Sequence, residues 1–164
     1  MASAKPIDVN CTVRDQYRST VRRLLLTLNV VIVVMILIQA VLAGQSLFEG
    51  SSISVHGYVG NGTFAVAVIA AFVALAARVP VWVLSTNALL ALLLFFQTGL
   101  GYVGRDSALA ASWHIPLGVS AFGLAAAALV GGAVVVSSSG AAPTGAVAQS
   151  SAGLTERTPS TRND

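Results

Sequence analysis

The chain has 164 residues, 55% apolar and only 9% charged, where soluble globular domains carry about 25% charged residues. That balance excludes a water-soluble globular domain and places the chain in a bilayer. The net charge of +3 says little by itself and gives no reason to expect a nucleic-acid partner, and a single cysteine, Cys11, excludes an intrachain disulfide and any paired-cysteine motif.

Residues 1–23 form a polar arm, with Lys5, Arg14, Arg18, Arg22 and Arg23 against Asp8 and Asp15. The basic stretch is long and no convincing cleavage site follows the next apolar run, so it does not read as a signal peptide. Cys11 reads as a free thiol without a role, since nothing nearby would activate it. Residues 24–44 are apolar and long enough to span a bilayer, with Asn29 and Gln39 as internal amides. A loop over 45–54 carries Glu49. The second span covers about 55–77, begins glycine-rich and ends at Arg78-Val79-Pro80, a tight connection in which Pro80 suits a helix start. The third covers about 81–103, carries Asn87 and Gln97, and ends in Gly99, Gly101 and Gly104, which suit close helix packing. Arg105-Asp106 marks a loop, and the fourth span covers about 113–136. Pro116 is tolerable in a first helical turn, where a missing N–H costs nothing, which puts His114 at the very start of that helix. Residues 137–164 are Ser, Ala, Gly, Thr and Pro with a mixed-charge end, and read as a disordered cytoplasmic tail.

The expected fold is therefore all-α, a four-helix transmembrane bundle. Four spans put both termini on one side. Of the nine Lys and Arg residues only Arg105 then lies opposite, so the termini are expected in the cytoplasm and the chain in the cell membrane as a multi-pass protein.

The chain has two histidines, His56 and His114, and each is followed four residues later by glycine, Gly60 and Gly118. Superposing them at their offset of 58 also aligns Asn29 with Asn87, Gln39 with Gln97 and Phe64 with Phe122. Polar coincidences are the persuasive ones, because apolar residues in spans coincide easily. The bundle thus reads as two duplicated helix pairs, 24–78 and 81–136. Each pair has an even number of spans, so the halves are related by an axis along the membrane normal. Gln39, His56, Gln97 and His114 fall at one depth, one on each helix, with the histidines facing each other.

Imidazoles and amides within a membrane need partners, and such groups point to function. Zinc would want a third or fourth ligand, and only Glu49 and Asp106 are near. Haem iron takes axial histidine. His56 and His114 are accordingly the expected metal ligands of a haem b. Gln39 and Gln97 would orient them. Gly60 and Gly118, on the faces of their own histidines, would leave room for a flat ring. Arg105 would meet a propionate. The alternative is a cofactor-free structural or accessory bundle, in which these groups pair with one another.

A four-helix unit with histidines near the ends of its second and fourth helices, and with QTGLG at 97–101, resembles one half of haem A synthase. It is also similar to small four-helix bacterial membrane proteins of unassigned function. The resemblance covers about residues 24–136 and implies a haem site. Two departures matter. That family has eight spans, and its catalytic half carries a glutamate three residues before the first histidine, where this chain has Ile53. Oxidation of a haem methyl group is thus not carried over, and no reaction is assigned. The resemblance implies electron transfer or haem handling beside a respiratory or haem-pathway membrane partner, and leaves a homo-oligomer open.

Overall fold

The computed structural model describes residues 9–48 and 53–140. They form four helices, α1 (Val9–Phe48), α2 (Ile53–Ala76), α3 (Val81–Val103) and α4 (Ala108–Gly140). All four are long and apolar enough to cross a membrane, so the chain is a multi-pass membrane protein with an all-α four-helix bundle. Packing runs α1 on α2, α2 on α3, α3 on α4 and α4 back on α1. The helices therefore stand at the corners of a square, with α1 diagonal to α3 and α2 diagonal to α4. We call the end where α1 leads to α2, and α3 to α4, the distal end.

The interior seam has heptad-like spacing on every helix. Buried positions are Leu25, Asn29 and Ile32 on α1; Thr63, Ala67, Ala70 and Ala74 on α2; Val83, Asn87, Leu90 and Leu94 on α3; and Ala121, Ala125, Ala128 and Val135 on α4. Steps of three and four keep one stripe inward while the wide apolar remainder faces lipid, as with Ile69, Phe72, Leu89 and Val130. The 58-residue offset maps Leu25 onto Val83, Asn29 onto Asn87, Ile32 onto Leu90 and Ala67 onto Ala125, so the inward stripes of the two halves coincide. Large side chains line the α1–α3 diagonal and alanines line α2 and α4. Large side chains on one diagonal thus face small ones on the other, the interdigitation of a close-packed interior.

Helix boundaries differ from expectation in three places. Helix α1 begins by Val9, so residues 9–23 of the basic arm continue the first span as helix, while residues 1–8 lie outside the described residues. Helix α4 begins at Ala108 and contains Pro116 in its interior, so His114 sits in the second turn rather than at the very start. Ser107 explains the early start: its hydroxyl accepts from the Ala110 N–H at 3.4 Å and its carbonyl accepts from Ala111 at 3.0 Å, which caps the helix before the proline. Finally, α4 runs to Gly140, so the first residues of the expected tail are helical; 141–164 lie outside the described residues, as does Glu49.

The α2–α3 connection ends α2 with Arg78 in the left-handed region, φ 50°. The Val79 N–H reaches the Ala74 carbonyl at 3.5 Å and the Arg78 N–H reaches that of Leu75 at 3.2 Å, the paired bonds of a Schellman motif. A side chain there costs about 1–2 kcal/mol that glycine avoids. Arg78→Gly should thus stabilise the detergent-solubilised protein by about 1 kcal/mol, after allowing for the greater chain entropy of glycine. A lower thermal midpoint by circular dichroism would contradict the motif.

Candidate functional site

In the distal third of the bundle the inward stripe carries one polar side chain per helix: Gln39 on α1, His56 on α2, Gln97 on α3 and His114 on α4. Each continues the inward stripe of its helix by a step of three, four or seven residues, and all four are half-buried. His56 and His114 meet across the α2–α4 diagonal, with ring centroids 6.0 Å apart and planes at 64°. The structure therefore brings together the two expected ligands and the two glutamines.

Backbone carbonyls position both halves of the pair. His56 Nδ1 lies 3.2 Å from the Gln39 carbonyl oxygen. A carbonyl can only accept, so Nδ1 carries the proton and, in the neutral ring, Nε2 keeps its lone pair. In the other half the Gln97 side-chain amide donates to the His114 carbonyl at 2.8 Å. This ties α3 to α4 two residues before Pro116. The same pair of positions is thus bonded in both halves, with the roles of side chain and backbone exchanged.

Three buried polar atoms in this layer have no hydrogen-bond partner among the described residues: Gln39 Oε1, Gln97 Oε1 and His114 Nδ1. Natural cores leave few such groups, and each calls for an explanation such as a water, an ion or a ligand. A second pair lies deeper. The Asn29 amide donates to the Ala128 carbonyl at 2.9 Å and that of Asn87 to Val83 at 2.9 Å, while both of their Oδ1 atoms are unpartnered. The apolar Ile32, Leu90 and Leu94 separate the two polar levels.

The glycines do not hold open ring space. A Cβ at Gly60 would lie 2.8 Å from the Gln39 amide nitrogen, and one at Gly118 would lie 3.1 Å from that of Gln97. The glutamines of the facing helices fill the room expected for a macrocycle, because a glycine on the seam admits whatever long side chain stands opposite. Gly101 permits close packing as expected, but its neighbour is the imidazole: a Cβ there would come within 3.0 Å of His114 Cε1, so α3 receives the imidazole edge at this glycine. Its place four residues after Gln97, on the same stripe, was the available signal.

Arg105 stands apart from the interior. Its guanidinium lies 5.2 Å from the Tyr102 ring centroid, and a Cβ on Gly57 would be 3.5 Å from its Nη2. It therefore covers the distal mouth of the α2–α3 seam, one residue along from His56. Among the described residues no group of three or more His, Cys, Asp and Glu comes together, so the donor set at the core is two imidazoles with amide oxygens around them.

Residues 39–103 match a family of unknown function (DUF6220). That stretch runs from Gln39 to the end of α3 and includes His56 and Gln97. No curated protein and no solved structure matches the chain.

Proposed function

We propose that this membrane protein binds haem b through His56 and His114 as the two axial ligands, and serves electron transfer or haem handling. The observation that carries the reading is the 6.0 Å separation of the imidazoles across the α2–α4 diagonal. One iron held from both sides needs ring centroids about 6 Å apart, from two metal–nitrogen bonds of about 2 Å and roughly 1 Å more within each ring. His56 is oriented by the Gln39 carbonyl with Nε2 free, the kind of outer support that ligating histidines have. The side chains over Gly60 and Gly118 are glutamines, long and flexible, with both Oε1 atoms unpartnered; Gln97 would give up its amide bond to the His114 carbonyl on turning. They are the groups that would turn to admit a ring edge. Bound haem would supply a one-electron iron couple whose potential the protein sets by ligation and burial. Position 53 is isoleucine where the haem A synthase half carries glutamate, so no oxidation of the haem itself is proposed. The distribution of Lys and Arg favours the cell membrane with both termini in the cytoplasm.

One observation favours a cofactor-free bundle instead: the glutamine amides already occupy the glycine spaces. Spectroscopy separates the two. The full chain, purified from haem-replete cells, should show Soret and α bands in a reduced-minus-oxidised spectrum, with a low-spin six-coordinate signature. A featureless spectrum, unchanged after incubation with haemin, would leave the accessory bundle standing.

A further inference from the structure

We propose that the distal part of the α2–α3 seam is a binding site for one anionic phospholipid, with the phosphate on Arg105 and an acyl chain in the groove below Tyr102. Two adjoining cavities of opposite character carry this inference. An apolar groove of about 450 Å³ is lined by Phe64, Phe95, Phe96, Gly99 and Leu100, with Asn61 and Tyr102 at its head. Beside it, a recess of about 180 Å³ is lined by Ser54, Gly57, Tyr58, Tyr102 and Arg105. Tyr102 belongs to both, as the glycerol backbone of a lipid joins tail to headgroup.

The chemistry at the junction has a defined sense. The Asn61 amide donates to the Tyr102 hydroxyl oxygen at 2.7 Å. The hydroxyl proton therefore remains available, at the height where a glycerol ester carbonyl would accept it. Arg105 is held over the Tyr102 ring, and Gly57 lets it lie close against α2. A guanidinium presents paired donors that match the phosphate oxygens of a lipid headgroup. The exposed Phe95 and Phe96 open the groove to hydrocarbon, which makes a lipid chain the natural occupant. The site stands without the haem reading, and it gives Arg105 a partner at the seam in place of a propionate.

Native mass spectrometry of the purified full chain tests this with phosphatidylglycerol and phosphatidylcholine of identical acyl chains. Wild type should retain phosphatidylglycerol about fivefold better, the preference one interfacial arginine gives. Arg105→Gln should remove that preference, while Arg23→Gln, on exposed α1 surface at the opposite end, should keep it. Gly99→Leu should reduce retention of both lipids: a Cβ there meets nothing within 4 Å, so leucine fills the groove without disturbing the helices. Circular dichroism of each variant confirms that it is folded. Equal retention of the two lipids by wild type would overturn the proposal, and that comparison needs no variant. Displacement of phosphatidylglycerol by millimolar inorganic phosphate, with no effect of Gly99→Leu, would also overturn it by assigning the recess to a free anion.

Discussion

His56→Ala and His114→Ala should each abolish the six-coordinate low-spin spectrum of the haem-loaded protein while leaving the bundle inserted and folded. Insertion depends on apolar length, which neither substitution changes. The stability lost is small, since the hydrogen bond from His56 to the Gln39 carbonyl is of a kind worth about 0.6 kcal/mol within membranes. The two variants should nevertheless differ. His56 has its ring fixed by a carbonyl, whereas His114 Nδ1 has no partner among the described residues. The iron should therefore stay five-coordinate on His56 in His114→Ala, and be lost more readily in His56→Ala. Added imidazole should restore the low-spin bands in His114→Ala by occupying the place Gly101 leaves for the ring. A purely structural pair predicts otherwise: both variants would lower the thermal midpoint, and imidazole would change nothing. Wild-type bands that persist in both variants would place the haem elsewhere.

Much of this architecture can be read in the sequence because the membrane makes polar residues informative. The offset of 58 that aligns the histidines also aligns Asn29 with Asn87 and Gln39 with Gln97. Those amides occupy matching interior places, because a polar side chain that cannot face hydrocarbon must take the same inward stripe in both halves. The lengths of the spans follow likewise from apolar runs. The helix ends do not. Nothing in apolar length says that Ser107 caps a further two turns ahead of Pro116, or that the polar residues before Leu24 continue α1, since both extensions lie where water as well as lipid can satisfy the side chains. A glycine is similarly ambiguous. Gly60 and Gly118 announce close approach, but whether a ring or a glutamine approaches depends on what the facing helix presents at that height. The position of Arg105 against Gly57 depends on the α2–α3 packing, to which the loop sequence is blind.

Gly104→Ala should destabilise the protein by about 1–3 kcal/mol, the cost of overpacking a close contact. Glycine is not needed there for its conformation: φ is −65° and the residue is right-handed at the end of α3. It is needed for room. A Cβ would stand 2.8 Å from the Leu100 carbonyl oxygen and 3.2 Å from both the N and Cα of Ala111. These are backbone atoms and cannot rotate aside, so α3 and the first turn of α4 must separate. His114 lies one turn further along α4, so the displacement should also loosen the imidazole pair and weaken haem retention. Gly123→Ala is the contrasting case. A Cβ there meets nothing within 4 Å, and alanine is the better helix former by about 1 kcal/mol, so that variant should be as stable as wild type or more so. Gly60→Ala should fall between them, because the only obstacle is the movable end of Gln39. Thermal unfolding in detergent, followed by circular dichroism, orders the three. If Gly104→Ala melted with Gly123→Ala, the α3–α4 turn would have slack that the contact at Ala111 denies, and the distal layer would not depend on that turn for its geometry.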